Sequence, residues 1–323
     1  MKRRRLLQLA LAALACPAAL RAQPAGRPAR VGVLSSTSPE ARSAFWDAFK
    51  DGMAKLGWVE GRNVTYVYRY TRGDASRFDA LASELVAEKP DLVYAGIEAA
   101  AVAVKRATRD IPIVFGFVND PVGSGLVASL ARPGGNATGL ASNSFELNNK
   151  RLELLREVRP QLRVVAWIGG RGLEGDRSRR EIERAARLLG TKVDSTAVGN
   201  QSEMEKALSS LAGKKVDGLL FLAGGILGRN VIVDRVAALR LPAVYAISEL
   251  VESGGLMSYG ADLAGNYRYA ATYVDRILKG AKPADLPVEL PTTYELVVNL
   301  RAAKEQGIAI PQSVLLRATR VIE

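Results

Sequence analysis

Small polar residues and glycines follow most of the apolar segments of this sequence, where they predict a binding site for a small polar molecule. In the first half of the chain they are Ser35, Ser36, Thr37, Gly96, Ile97, Glu98, Asn119, Asp120, Ser142 and Ser144. In the second half they are Gly170, Arg171, Ala223, Gly224 and Glu249. Backbone amides at helix starts bind carboxylates, and Glu98, Asp120 or Glu249 can pair an ammonium group. The set predicts an amino acid or a small carboxylate, with a nucleoside-like or other neutral molecule as the alternative.

Some of these residues also have a structural interpretation. Ser38 and Asp120 each precede a proline, which is the pattern of a helix N-cap followed by proline at the first helical position. Thr37 and Asn119, one residue earlier, are therefore the stronger candidates for ligand contact. For the glycines the alternative to ligand contact is a role in turns alone.

Residues 170–175 match the G-x-G-x-x-G pattern of dinucleotide-binding loops, after a predicted strand and before a predicted helix. The rest of that fingerprint is missing, because the next strand ends at 197–200 without an acid for a ribose. Asp176 and Ser178 are good N-cap types, so we expect the loop to continue past Gly175. The pattern predicts a loop beside the cleft from which Arg171 reaches the ligand, and no cofactor.

Histidine is absent from the chain and cysteine occurs once, as Cys16. This composition excludes a Ser-His-Asp triad and a Cys/His zinc site, and no phosphate-binding loop motif occurs. We therefore predict no catalytic residues and no metal site, with a doubly wound α/β enzyme as the weaker alternative. Tyr66, Tyr68 and Tyr70 alternate along one predicted strand, which favours a half-exposed sheet face over a stacking platform for a ligand.

The first residues are typical of an export signal. Four cations at 2–5 precede an apolar run at 6–20 that is too short to span a bilayer, and the segment 21–24 suits cleavage near Ala22. We expect residues up to about 28 to be disordered and the mature protein to be periplasmic. A retained anchor and lipidation at Cys16 are less favoured alternatives, since no leucine lies three residues before Cys16. Export by the general or the twin-arginine route stays open.

The formal charge of +12 falls to +7 when the five cations of the signal leave without any acid. The remaining cations alternate with acids, as in 177–181, which indicates a solvated helix face and not a nucleic-acid surface.

Strand and helix patterns alternate along the chain, and the alternation restarts after residue 145. In the first part we predict strands at 30–34, 63–70, 91–97, 111–118 and 137–141, and helices at 39–56, 77–88, 99–108 and from 120 onward. In the second part we predict strands at 163–168, 192–198, 217–222 and 242–247, and helices at 146–158, 178–189, 202–211 and 231–239. This order predicts two doubly wound α/β lobes with parallel sheets and a ligand cleft between them.

Several longer segments carry a resemblance to a known family. They include Gly-Trp-Val-Glu-Gly-Arg-Asn-Val at 57–64, Asn-Asp-Pro-Val-Gly-Ser-Gly-Leu-Val at 119–127, Arg-Pro-Gly-Gly-Asn-Ala-Thr-Gly at 132–139 and Gly-Leu-Met-Ser-Tyr-Gly at 255–260. Further matching segments are 112–115, 277–289 and 295–300. The chain resembles the ABC transporter substrate-binding protein family related to tryptophan- and tyrosine-binding proteins, which has a type I periplasmic-binding-protein fold.

The resemblance implies a monomeric exported receptor that closes on a small-molecule ligand by a hinge movement and delivers it to an ABC permease in the inner membrane. An exported sensor domain that docks on a membrane receptor is the alternative. Neither a nucleic-acid partner nor a cofactor is implied. The family's binding positions correspond to Ser36, Thr37, Asn119 and Asp120, whereas Glu98 replaces a small hydroxyl of relatives that bind aromatic amino acids. That replacement argues against an aromatic amino acid as the ligand.

The fold of this family also implies three crossings of the chain between its lobes. We expect 1–22 to be the signal, 29–142 with 261–290 to form the N-terminal lobe, and 143–260 with 291–323 to form the C-terminal lobe. The predicted hinge residues are Ala141, Tyr259, Gly260, Leu290 and Pro291.

Overall fold

The computed structural model describes residues 27–36, 44–142, 144–222 and 229–323. The predictions made for the signal segment, Cys16, Thr37, Ser38, Ala223 and Gly224 lie outside the described residues, as does the side chain of Ser144. Within the described ranges, no helix has the length and apolar character needed to cross a membrane.

The first sheet consists of five parallel strands in the order β2-β1-β3-β4-β5. Their bounds are β1 Ala29–Ser35, β2 Val64–Tyr70, β3 Leu92–Ala95, β4 Ile113–Val118 and β5 Ala137–Ala141. β3 and β5 are buried along their whole length, as expected for parallel strands covered on both faces.

Helices cover both faces of this sheet. They are α1 Ala44–Lys55, α2 Phe78–Ala87, α3 Glu98–Ala107 and, from much later in the chain, α9 Leu263–Leu278. α2 and α3 contribute to the core on one face, while Phe49 and Met53 of α1 pack with Tyr273 and Val274 of α9 on the other. The five strands with these four helices are called the first lobe below.

The second sheet has seven strands in the order β12-β11-β10-β9-β8-β6-β7. Their bounds are β6 Val164–Gly170, β7 Lys192–Val198, β8 Gly218–Phe221, β9 Ala243–Tyr245, β10 Met257–Ala261, β11 Tyr294–Asn299 and β12 Arg320–Ile322. All neighbours pair in parallel except β10 and β11, which are antiparallel.

The helices of this second lobe are α4 Ser144–Val158, α5 Leu173–Leu188, α6 Gln201–Leu211, α7 Arg229–Ala238, α8 Ser248–Glu252, α10 Leu300–Gln306 and α11 Gln312–Leu315. α6, α7 and α8 share one core with the sheet, and α4, α5, α10 and α11 share the core on the opposite face. The two lobes thus repeat the same layered architecture, as the alternation of patterns predicts.

Two details of the predicted helices are wrong. No helix begins at Asp120: residues 121–125 form a turn in which Ser124 N bonds to Asp120 O at 2.9 Å. The turn ends at Gly125, whose φ of 75° is left-handed and cannot continue a helix.

The loop at Gly170 also ends earlier than expected, because α5 begins at Leu173 with Gly172 as its N-cap. Gly175 therefore lies inside the helix and not in a loop. A β-carbon at Gly175 would overlap the carbonyl of Gly170, so this glycine lets the first turn of α5 pack against the end of β6.

The chain passes between the lobes at three places. The first lies between β5 and α4, the second lies at Asp262 between β10 and α9, and the third lies at 290–293. Glu289 still bonds to the first lobe, since Ala141 N donates to Glu289 O at 2.8 Å. Asp262 N donates to Thr293 O at 3.4 Å, so the second and third passages run side by side.

Candidate functional site

A cavity of about 960 Å³ lies between the two lobes. Residues at the carboxyl ends of β1 and β3 line it from the first lobe, and residues at the ends of β6, β7 and β8 line it from the second. This is the position at which open parallel sheets bind their ligands. Its volume is in the range of small-molecule sites.

The first-lobe wall of the cavity is aromatic. Trp46, Tyr68, Tyr70, Tyr94 and Tyr267 all line it. Tyr68 and Tyr70 stack with ring centroids 5.7 Å apart and planes 9° from parallel. Trp46 meets Tyr68 edge-on and donates from Nε1 to the Tyr68 hydroxyl at 3.0 Å. These contacts hold the rings in place, so the wall offers flat apolar surfaces before any ligand arrives.

Two glycines make room for the deeper tyrosines. A β-carbon at Gly96 would overlap the Tyr267 hydroxyl, and one at Gly116 would overlap the Tyr94 hydroxyl. Burial raises the pKa of Tyr267 to about 12 and raises the pKa of Tyr94 as well. Both phenols are therefore neutral at physiological pH and can donate hydrogen bonds.

The second-lobe wall contains Trp167, Phe221 and the glycine-rich end of β6. Trp167 is 1% exposed, and its Nε1 has no hydrogen-bond partner among the described residues. Its indole ring lies against Gly169, where a β-carbon would overlap the ring. The wall thus presents a buried aromatic ring with an unused donor.

Seven of the predicted ligand residues reach the cavity. They are Ser35, Ser36, Gly96, Ile97, Asn119, Gly170 and Arg171. The Asn119 Oδ1 accepts a hydrogen bond from Ser142 Oγ, which fixes the amide. Arg171 is mostly exposed and forms an ion pair with Glu203 at 2.9 Å.

Four predicted ligand residues lie outside the cavity wall. Glu98 is 9% exposed, and its carboxylate accepts the backbone N–H of Asp120 at 3.4 Å. Asp120 pairs with Arg177, Ser142 bonds to Asn119, and Glu249 is buried in the short helix α8. These groups are engaged by the protein, so the expected pairing of a ligand ammonium with Glu98, Asp120 or Glu249 is not what the geometry favours. Because Glu98 does not line the cavity, it does not disfavour an aromatic ligand there.

The aromatic wall was missed from the sequence. The alternation of Tyr66, Tyr68 and Tyr70 identifies one sheet face, yet only Tyr68 and Tyr70 reach the cavity. Tyr267 enters from α9, nearly 200 residues after β2. Spacing along the chain carries no sign of that proximity, although the excess of tyrosines on β2 was a usable signal.

Among the residues that the structure describes, no group of three or more Asp, Glu, His or Cys side chains is placed to hold a metal ion. The described carboxylates that line the cavity are Asp47 and Asp74. Both side chains are exposed, and Asp74 accepts hydrogen bonds from Ser76 N and Ser76 Oγ at 3.0 and 2.6 Å.

Comparison with known proteins links the chain to one family. A sequence model of the family described as ABC transporter substrate binding protein matches residues 30–322. The chain is also similar to a tyrosine-binding protein of Clostridioides difficile, with 28% identity over 263 residues that cover 80% of this chain and 74% of the relative.

Solved structures show the same relationship. The ABC domain in complex with L-Trp from Streptococcus pneumonia has a TM-score of 0.81 at 28% identity and covers 91% of this chain and 100% of its own. A conserved domain protein from Vibrio cholerae has a TM-score of 0.83 at 29% identity over the same shares. The two α/β lobes have the type I fold of periplasmic binding proteins.

Proposed function

The chain belongs to the ABC transporter substrate-binding protein family, and from this premise we propose that it binds an aromatic amino acid between its two lobes. The observation that carries the proposal is the wall formed by Trp46, Tyr68, Tyr70, Tyr94 and Tyr267. Aromatic rings stack on such surfaces with a stabilisation of about 0.5–1.5 kcal/mol per pair beyond the burial of apolar area.

The relatives support this choice of ligand. One is a tyrosine-binding protein, and another was solved in complex with L-Trp. Both are 28% identical to this chain.

The rest of the cavity suits the charged end of an amino acid. Gly172 lines the cavity and is the N-cap of the 16-residue helix α5, and the amides of a helix N-terminus can bind a carboxylate. Ser35 and Ser36 add hydroxyls, and Asp47 and Asp74 are lining carboxylates that can pair an ammonium. A zwitterion with an apolar ring therefore matches both halves of the cavity.

The wider role that we propose is delivery of this ligand to a membrane permease. Substrate-binding proteins of ABC transporters act outside the cytoplasm, and residues 1–22 have the composition of an export signal. The two lobes would close around the ligand by rotation at the three chain passages, and the permease would receive it from the closed form.

Isothermal titration calorimetry of the purified protein tests the ligand. We expect L-tryptophan, L-tyrosine or L-phenylalanine to bind at least about tenfold more tightly than L-leucine, since only the former can stack on Tyr68 and Tyr70. Adenosine and myo-inositol serve as the nucleoside-like and neutral comparison ligands. Equal affinity for L-leucine, or heat only with adenosine or myo-inositol, would contradict the proposal.

A matched pair of variants locates the site. Tyr70→Leu removes a lining ring and should weaken binding of the aromatic ligand about tenfold. Tyr66→Leu changes the same residue type on the same strand outside the cavity and should leave the dissociation constant unchanged. If both variants bind like the wild type, the ligand does not lie on this wall.

A further inference from the structure

An ion pair crosses between the lobes just outside the cavity. Arg177 Nη1 on α5 donates to Asp120 Oδ2 in the turn after β4. The other Asp120 oxygen, Oδ1, accepts the backbone N–H of Gly123 at 2.6 Å, so the carboxylate is held in position by its own turn. A β-carbon at Gly123 would meet the guanidinium nitrogens of Arg177, which shows how closely the two lobes approach here.

A third charged group lies beside this pair. Glu98, at the start of α3, is 9% exposed and accepts the backbone N–H of Asp120 at 3.4 Å. Arg177 acts electrostatically on the Glu98 carboxyl. Glu98, Asp120 and Arg177 are called the cross-cleft cluster below; it combines two acids of the first lobe with one cation of the second.

The cross-cleft cluster is adjacent to the ligand cavity but does not line it. Asn119 lines the cavity, and Asp120, the next residue, forms the ion pair. Likewise Ser178 lines the cavity, and Arg177 precedes it on α5. Asn148 Nδ2 donates to Ser178 Oγ at 3.1 Å and so ties this turn of α5 to α4. Any movement that opens the cavity between Asn119 and Ser178 must also separate Asp120 from Arg177.

We propose that the cross-cleft cluster is a latch that stabilises the closed form and raises ligand affinity without touching the ligand. This inference rests on the proposed function, because it assumes closure around a bound molecule. An ion pair that forms on closure shifts the equilibrium of the free protein toward the closed form, and a ligand that binds the closed form then binds more tightly. Ligand affinity should therefore depend on salt and on pH even when the ligand carries no net charge.

Glu98 should make ligand affinity depend on pH. Burial raises the pKa of Glu98 to about 6, while Arg177 and the Asn119 N–H oppose the rise. The other charged groups near Arg177 are Asp120, Glu146 and Glu181, which line a recess with it. Opening removes Arg177 from Glu98, while the backbone contact that Glu98 makes within its own lobe is kept. We expect the loss of this cation to outweigh any gain in exposure, so that the pKa of Glu98 is higher in the open form and closure releases a proton. Affinity should then increase between about pH 5 and about pH 7.5.

The test measures the dissociation constant of L-tryptophan by calorimetry in variants that each remove one charged group, and in one double variant. Arg177→Gln and Asp120→Asn should each weaken binding about threefold to tenfold, and the double variant should be no weaker than either alone. Arg179→Gln is the control, because its partner Glu183 lies on the same helix at 2.9 Å and this pair does not cross the cleft. Glu98→Gln should remove the rise in affinity between about pH 5 and about pH 7.5.

Two results would overturn the latch: Arg177→Gln binding as tightly as Arg179→Gln, or additive effects in the double variant. Thermal unfolding of each variant excludes a general loss of structure. If neither the wild type nor any variant binds L-tryptophan, the proposed ligand is wrong. The latch can then still be tested by small-angle X-ray scattering of the free protein. A larger radius of gyration for Arg177→Gln than for Arg179→Gln then supports it, and equal radii refute it.

Discussion

Glu98 shows that position along the chain alone does not decide whether a residue contacts the ligand. It follows strand β3, where parallel sheets place ligand-binding groups, and it directly follows Ile97, a lining residue. The carboxyl group nevertheless turns away from the cavity and is buried against the backbone of residues 119 and 120. Its burial penalises the charged form, so Glu98 reduces the stability of the folded protein at neutral pH.

Replacing Glu98 should therefore stabilise the protein in a pH-dependent way. The folded pKa of about 6 lies above the ordinary value of 4.5 for a glutamate, so the wild type loses stability as pH rises from about 4.5 to about 7. At pH 8 we expect Glu98→Gln to have a free energy of unfolding higher by up to about 2 kcal/mol, and at pH 4 no difference. Urea denaturation at both pH values measures this.

The control for that experiment is Glu305→Gln, which changes an exposed carboxylate on α10 in the same way. Its effect should stay within about 0.5 kcal/mol at either pH. If Glu98→Gln raised the free energy of unfolding equally at pH 4 and pH 8, titration of Glu98 would not be the source of the added stability.

At the scale of elements, α4 and β10 are joined by a buried guanidinium. Arg151 of α4 is 1% exposed, and its Nε donates to Tyr259 O of β10 at 2.7 Å. Its Nη1 donates to Asn148 Oδ1 at 2.7 Å. Burial lowers the pKa of Arg151 to about 9, which still leaves the side chain charged at neutral pH. α4 follows the first passage between the lobes and β10 precedes the second, so Arg151 links the two parts of the second lobe that lie next to these passages.

Removing the hydrogen bonds of Arg151 should destabilise the second lobe. Arg151→Met keeps much of the side-chain volume but leaves the Tyr259 carbonyl and the Asn148 amide oxygen without these donors in a dry site. We expect a loss of about 3 kcal/mol in the free energy of unfolding, measured with urea. Lys150→Met, which alters the neighbouring exposed pair with Glu153, should change stability by less than about 0.5 kcal/mol. Similar losses in both variants would contradict a special role for Arg151.

Most strands and helices could be predicted from sequence, because each pattern is local. The apolar run at 217–222 is β8, and the spacing of Phe49 and Met53 marks the buried face of α1. Errors occurred where a contact decides the conformation. Gly175 continues a helix because it packs on Gly170. Asp120 and Pro121 have the pattern of a helix start, but they open a turn that the left-handed φ of Gly125 ends. The candidate site was harder still, since Tyr68 and Tyr267 meet only in the folded chain.

At the scale of the whole molecule, three chain passages join two lobes that enclose the cavity. Two of these passages, at Asp262 and at 290–293, run side by side and leave from the antiparallel pair β10 and β11. The predicted hinge residues Leu290 and Pro291 lie within the third passage, Ala141 lies directly before the first, and Tyr259 and Gly260 belong to β10 just before the second. Movement at all three remains our proposal, and we place the rotation at these segments because they are where the chain joins the two sheets.

Closure can be measured directly in solution. Addition of L-tryptophan should reduce the radius of gyration by a few per cent from a value near the roughly 20 Å expected for a compact chain of this length. Small-angle X-ray scattering with and without ligand measures the change, and Tyr70→Leu at the same ligand concentration serves as the weakly binding control. An unchanged radius at saturating ligand would mean that binding proceeds without closure.

The late position of α9 has a consequence for synthesis on the ribosome. Ala270, Ala271, Tyr273 and Val274 of this helix complete the core on one face of the first sheet. When only the first 260 residues have emerged from the ribosome, all five strands of the first sheet have been made, but α9 has not. One face of β1, β3 and β4 therefore lacks part of its covering helices at that stage. We therefore expect the nascent N-terminal half to remain short of its native stability until the last quarter of the chain is made. If the chain is exported by the general route, as the first residues allow, such a delay would favour passage of the unfolded polypeptide through the translocation channel.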